Sequence, residues 1–186
     1  MDVAEKRERS SLREQDKLAR FNLLVVPHMP SAYNLAHWLT RNDHDAEDVV
    51  QEAYLRAFRF FDGFHGGDSR AWLLSIVRNT CYTWLQQNRS ASLPLDERVA
   101  ESHATEATPE ALVLEAIDRQ LLHQAIEELP PEFREVIVLR ELEGLPYKEI
   151  SAITGVPLGT VMSRLARARA RLEKALAGQR GSRGAA

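Results

Sequence analysis

Apolar residues return every three to four positions through most of this chain and nowhere alternate for long, so the pattern predicts helices and no strands. Pro27 and Pro30 interrupt the apolar stretch over 21–39, which places the start of a helix near Ser31. After a turn at 42–45, a helix opening at Asp45 collects Ala46, Val49, Val50, Ala53, Tyr54, Ala57, Phe58 and Phe61 on one face. Asp48 three residues on resembles a capping box, and Asp48, Gln51, Glu52, Arg56 and Arg59 form the opposite face. A glycine-rich loop over 62–68 follows, with Asp68 or Ser69 placed to cap the next helix. That helix buries Trp72, Leu73, Ile76, Val77, Cys81, Trp84 and Leu85. Its polar face carries Arg70, Arg78, Asn79, Tyr82, Thr83, Gln86, Gln87 and Arg89.

Periodicity then stops from Ser90 to about Thr108, in a stretch that is acidic and holds Pro94. It resumes near Ala111 and runs through Leu121, Leu122, Ala125, Ile126 and Leu129, until Pro130 and Pro131 end one helix and begin another. Phe133, Val136, Ile137, Leu139 and Leu142 are the expected core face of that second helix, with Gly144 suited to the position just past its end. The expected fold is all-α, two small helical domains joined by a flexible linker. The boundaries are a charged mobile extension over 1–18, a first domain over 19–90, an acidic linker over 91–110, a second domain over 111–176 and a flexible tail over 177–186.

The most specific local pattern is near the C-terminal end. A short helix over Tyr147–Thr154 buries Ile150 and Ile153, Gly155 supplies a tight turn, and a longer helix from Leu158 turns Val161 and Leu165 inward. Ser151, four residues before Gly155, lets the two helices approach. This is a helix-turn-helix. Its second helix presents Thr160, Met162, Ser163, Arg164, Arg167 and Arg171, and Lys148 stands on the first. Residues near the start of such a helix reach base edges in a major groove, while arginines farther along hold phosphates.

Charge supports this reading. The chain carries a formal −3, yet from residue 145 onward eight Lys/Arg face only Glu149 and Glu173, a local +6 that leaves −9 on residues 1–144. One end of the molecule is therefore suited to DNA and the other to a basic or mixed protein surface. The first residues are charged throughout, no apolar run is long enough to span a bilayer, and the single Cys81 excludes an internal disulfide framework. A cytoplasmic protein without membrane insertion is expected. The six histidines and Cys81 form no metal-ligand spacing, the glycines match no phosphate-binding loop, and no nucleophile elbow is present. No catalytic residue, metal or cofactor is expected.

Two blocks narrow the function. Asp45-Ala-Glu-Asp-Val-Val-Gln-Glu-Ala-Tyr-Leu-Arg-Ala-Phe-Arg resembles the polymerase-binding helix of bacterial sigma factors. Phe64-His-Gly-Gly-Asp-Ser-Arg-Ala-Trp-Leu and Ile76-Val-Arg-Asn resemble the promoter-melting part of the same domain, and Gly159-Thr-Val-Met-Ser-Arg-Leu-Ala-Arg-Ala-Arg looks like the sigma four domain. Both blocks in order, across a short linker, resemble the extracytoplasmic-function (ECF) group. That resemblance implies a non-catalytic, dissociable subunit of RNA polymerase that binds core enzyme and promoter DNA, both duplex and melted, under the control of an anti-sigma factor. It assigns polymerase binding to Asp48, Gln51 and Glu52. The melted −10 element falls to Phe64, Ser69, Arg70, Arg78, Asn79, Tyr82, Thr83, Gln86 and Arg89, and the −35 element to Lys148, Thr160, Met162, Ser163, Arg164, Arg167 and Arg171.

Three positions depart from the family pattern. Asn88-Arg89-Ser90 stands where a run of arginines is common, Ser69 where a Phe often precedes the Trp-Leu pair, and Met162 where a basic residue is frequent. All three fall where DNA would be read, so the promoter sequence stays open. A stand-alone DNA-binding regulator is the competing reading, and a helical hydrolase using the histidines a distant third.

Overall fold

In the computed structural model, which describes residues 3–88 and 109–183, every regular element is helical. The order is α1 (Val3–Leu24), α2 (Met29–Thr40), α3 (Asp43–Phe60), α4 (Ser69–Gln87), α5 (Pro109–Glu127), α6 (Pro131–Ile137), α7 (Tyr147–Thr154) and α8 (Leu158–Arg183). Among the described residues, no helix is long and apolar enough to cross a membrane. Most of the expected linker, up to residue 108, lies outside the described residues, and α5 opens at Pro109.

Helix reaches into both terminal stretches of the chain. The stretch expected as a mobile extension over 1–18 is helical from Val3 and continuous with α1. It contains no Pro or Gly and is rich in Arg, Glu, Gln, Lys and Leu, so propensity alone favours the helix. Its far end is anchored by Phe21, whose ring meets Tyr54, Phe58 and Phe61 edge-on at 6.2, 5.2 and 5.3 Å. Lys17 adds an ion pair to Asp62 at 2.7 Å. The tail expected as flexible over 177–186 continues α8 as far as Arg183, and residues 184–186 lie outside the described residues.

Capping chemistry sets the remaining boundaries. Asn42, not Asp45, caps α3: its side-chain oxygen accepts the Asp45 N–H at 3.0 Å, and the helix starts at Asp43. A 3₁₀ turn over Val26–His28 absorbs Pro27, and α2 begins at Met29 with Pro30 in its first turn, two residues before the expected start. Asp68 caps α4, accepting the N–H groups of Arg70 and Ala71 at 2.9 and 3.1 Å.

Helices α2, α3 and α4 enclose a first core around Leu35, Leu39, Val49, Ala53, Leu73 and Val77. Helices α6, α7 and α8 enclose a second around Phe133, Val136, Ile137, Ile150, Val161 and Leu165, with α5 packed on α8. The two cores are continuous, because α2 packs on α6 and α4 lies along α7. Leu142, expected in the core, is 47% exposed. The chain from Val138 to Leu142 winds as a π-helical turn, with the Glu143 N–H reaching back to the Val138 carbonyl at 3.0 Å. The wider turn rotates Leu142 off the buried face.

Candidate nucleic-acid interface

The helix-turn-helix is built by α7 and α8. Gly155 adopts φ +70 and its N–H closes on the Ser151 carbonyl at 3.0 Å, while the Ser151 hydroxyl donates to the Val156 carbonyl at 2.6 Å. Ser151 thus serves as both a small contact residue and a pin for the turn. Ile150, Ile153, Val161, Leu165 and Ala168 are buried beneath. Lys148, Met162, Ser163, Arg167 and Arg171 are exposed, and Thr160 and Arg164 half-buried. Arg171 also lays its guanidinium over the Phe133 ring at 4.9 Å. No atom stands near a Cβ built on Gly155, so its replacement is opposed by backbone conformation alone. Gly155→Ala is expected to lose about 1–2 kcal/mol in urea unfolding, the ordinary cost of an L-residue in the left-handed region.

On α4, Asn79, Thr83 and Gln86 are exposed in a row one helical turn apart. Arg89 lies outside the described residues. Phe64, expected at the melted strand, is 8% exposed and packs on Phe61 at 5.9 Å and Trp72 at 5.0 Å. In this conformation it is a core residue that fixes the loop. Ser69 pairs its hydroxyl with His28 Nε2 at 3.1 Å.

The α3 face is the simplest. Glu47, Asp48, Gln51 and Glu52 are all exposed, with Glu52 joined to Arg56 one turn on at 2.6 Å. Beside them runs an open groove of about 780 Å³ lined by Phe21, Met29, Val50, Tyr54, Leu55 and Phe58. Leu55 is 59% and Met29 45% exposed at its rim. An apolar groove edged by carboxylates has the anatomy of a protein-docking surface, with an apolar centre and a polar rim.

The remaining candidates converge where the modules touch. Glu135, fully buried on α6, accepts Arg78 Nε at 2.8 Å and Nη2 at 3.4 Å from α4, and Arg164 Nη1 at 3.1 Å from α8. Burial works against the Arg78 charge, but the hydrogen bond and charge of Glu135 outweigh it and raise its pKa. Tyr82, under the Arg78 guanidinium at 4.2 Å, has its hydroxyl pKa raised by burial first and then by Glu135. Arg70 hydrogen-bonds the Glu143 carboxylate, the Glu143 carbonyl at 3.1 Å and the Ser31 hydroxyl at 3.1 Å, and Asn34 joins the same carboxylate. Arg134, on α6, is buried and donates to the carbonyls of Trp38, Glu127 and Leu129 at 2.8, 2.7 and 2.7 Å. Four residues expected at DNA (Arg70, Arg78, Tyr82 and Arg164) are therefore occupied inside the protein. Glu135, Glu143 and Arg134 were not singled out from the sequence. The signal for Arg134 and Glu135 was the run 133–139, where apolar residues surround the helix on all sides and leave the two charges nowhere exposed to go; Glu143 had no such signal. Cys81 is fully buried and burial pushes its thiol up to about 12, so it is a packing residue. Among the described residues no group of His, Cys, Asp or Glu could hold a metal ion.

Comparison with known proteins agrees with this architecture. Sigma-70 region 2 matches residues 24–91, and Sigma-70 region 4 matches residues 119–172. The chain is 40% identical over 158 residues to the ECF RNA polymerase sigma-E factor of Escherichia coli, covering 80% of this chain and 82% of that protein. It is 38% identical over 168 residues to the ECF RNA polymerase sigma factor SigE of Mycolicibacterium smegmatis, covering 88% of this chain but 64% of that longer protein. Among solved structures it is similar to the sigma factor RpoE of Bartonella quintana in complex with the anti-sigma factor NepR (TM-score 0.67, 29% identity, 84% of this chain and 96% of that one). It is also similar to CnrH in complex with the cytosolic domain of CnrY (TM-score 0.64, 25% identity, 90% and 94%). With both regions present in order and 40% identity across most of a relative's length, the chain belongs to the ECF sigma factors of RNA polymerase.

Proposed function

We propose that this chain is a dissociable, non-catalytic subunit of RNA polymerase, acting in the cytoplasm to bring core enzyme to promoters. The single observation that carries the reading is the pairing of an exposed carboxylate face on α3 with a basic helix-turn-helix at the opposite end of the chain. Residues 19–90 are the core-binding and −10 domain, and 111–176 the −35 domain, with 91–110 between them. Asp48, Gln51 and Glu52 bind core enzyme through charge-assisted hydrogen bonds to basic side chains, and the adjacent groove receives an apolar one. Lys148, Thr160, Met162, Ser163, Arg167 and Arg171 on the outer side of the helix-turn-helix meet duplex DNA, and Arg164 joins them. Asn79, Thr83 and Gln86 meet the edge of the −10 element, with Arg70, Arg78 and Arg89 on its phosphates. The similar sigma factor RpoE of Bartonella quintana was solved with the anti-sigma factor NepR, which supports control of this chain by such a partner.

The test uses the full chain. Substituting alanine at Asp48, Gln51 and Glu52 together is expected to weaken binding to core polymerase about tenfold or more, with duplex binding unchanged. Undiminished core binding would remove the assignment of this face. Duplex affinity should fall with salt with a log–log slope near −0.9 for each phosphate neutralised, about −3.6 for four. Tight, polymerase-independent recognition of one operator would favour a stand-alone regulator instead.

A further inference from the structure

Three of the candidate DNA-binding side chains, Arg70, Arg78 and Arg164, are already occupied by protein carboxylates, and those occupants resemble phosphates. Glu135 places one carboxylate between Arg78 of the first module and Arg164 of the second. Glu143 places another against Arg70. A carboxylate and a phosphate each offer guanidinium a pair of anionic oxygens that it can bind in the same bidentate way. We infer that Glu135 and Glu143 are an intramolecular latch: they hold the two modules together by occupying Arg78 and Arg70, so the melted promoter strand and the closed form compete for the same two guanidiniums.

The inference rests on the assignment of Arg70 and Arg78 to DNA phosphates. Three features make the contact a switch and not a rigid joint. Glu135 is fully buried while the Arg78 side chain remains 18% exposed, so Arg78 is the partner that solvent and an incoming phosphate can reach. Opening at Arg78 leaves Glu135 paired with Arg164 on its own module, so release of Arg78 does not by itself strand the carboxylate. Taking charges out of water offsets most of the attraction gained by pairing them, so the closed form holds by a small margin that competing phosphates can reverse. Ser31 and Asn34 from the first module add neutral hydrogen bonds that fix the register of the Glu143 contact.

Tyr82 lies beneath Arg78, and the Asn79 side-chain oxygen accepts from Arg78 Nη1 at 3.3 Å. Glu135→Gln keeps the shape and leaves Arg78 and Arg164 facing each other without a counter-charge, so the modules should part. Glu143→Gln, at the edge of the contact, removes the second tie with less risk to folding. Glu141→Gln is the control: it removes the same charge from the exposed pair with Arg169, wholly within the second module.

Full-length wild type and the three variants would be compared by small-angle scattering, and by anisotropy with a mixed-sequence single-stranded oligonucleotide over a salt series. Circular dichroism would confirm equal helix content. Glu135→Gln and Glu143→Gln are expected to raise the radius of gyration and tighten oligonucleotide binding about tenfold, as for a protein whose binding-competent form rises from about a tenth of molecules to nearly all. The log–log salt slope should steepen by about 0.7 for each guanidinium released, and Glu141→Gln should match wild type in size and slope. Unchanged size in both latch variants, with wild-type affinity, overturns the latch and leaves the DNA assignment standing. Opening without any gain in affinity or slope also overturns the competition, and places the failure in the assignment of Arg70 and Arg78. If Glu135→Gln loses helix content, Glu143→Gln alone decides between these outcomes.

Discussion

Arg134→Ala is expected to lower the unfolding free energy by about 3–5 kcal/mol, because it strands carbonyl groups at the ends of two helices. Arg134 is 4% exposed and donates to the last-turn carbonyls of α2 (Trp38, and more distantly Leu39) and to Glu127 and Leu129 at the end of α5. A guanidinium set between two helix C-termini also sits at the negative end of both dipoles. Against this, burial and the nearby Arg41 charge lower its pKa to about 10, so part of the gain is spent on desolvation. The carbonyls decide the sign. They were buried by the fold, each orphan costs about 1–3 kcal/mol, and the alanine leaves a cavity too. Arg134→Met separates these contributions, since it fills the space but supplies no donor. Urea unfolding should place Met between wild type and Ala. A Met variant as stable as wild type would show that the guanidinium contributes packing alone.

Arg134 also shows what the sequence could not reveal. Helix existence was legible wherever an apolar stripe repeats, and the helix-turn-helix was placed at the observed residues because Gly155 marks its turn so sharply. Boundaries set by one side chain, such as the Asn42 cap, were legible only to within a few residues, since Asn42 and Asp45 are both good caps. Leu142 was misplaced because a π-helical turn breaks the period without any residue that announces it. The contacts between modules were not legible at all. Arg70 and Glu143, or Arg78 and Glu135, are far apart in sequence, and on a helical wheel each reads as an ordinary polar position. Only the all-round apolar setting of 133–139 hinted that its two charges had partners, and it could not say which.

The functional surfaces divide the same way. The α3 face was read correctly as exposed because its carboxylates lie opposite a continuous apolar stripe. Phe64 and the α4 arginines look equally available in the sequence, but the structure spends one on the core and two on acids of the other module. A residue type suited to DNA is therefore a statement about capacity. Which conformation uses that capacity is set by contacts across the modules.

Phe61→Ala is expected to cost about 3–5 kcal/mol and to impair the first module's DNA contacts more than the second's. Phe61 is 2% exposed at the end of α3, with the rings of Phe21, Phe64 and Trp72 at 5.3, 5.9 and 6.1 Å and the Arg20 guanidinium 5.6 Å above it. Removing the ring opens a cavity among three aromatic neighbours, which are too stiff to collapse into it. The loop over 64–68 has few other anchors: Gly66 and Gly67 sit at φ near +100, and Phe64 is its one large buried side chain. With Phe64 released, Asp68 no longer holds the start of α4 in place, and Arg70 loses its position. Below the melting temperature, single-strand binding should fall several-fold while duplex binding by α8 stays within about twofold, since the rings around Phe61 all belong to the first module. Phe61→Leu, which leaves most of the volume, should lose less of both stability and single-strand binding. An equal loss of single-strand and duplex binding would mean that the two modules fold and fail as one body, and that the loop has no anchoring role of its own.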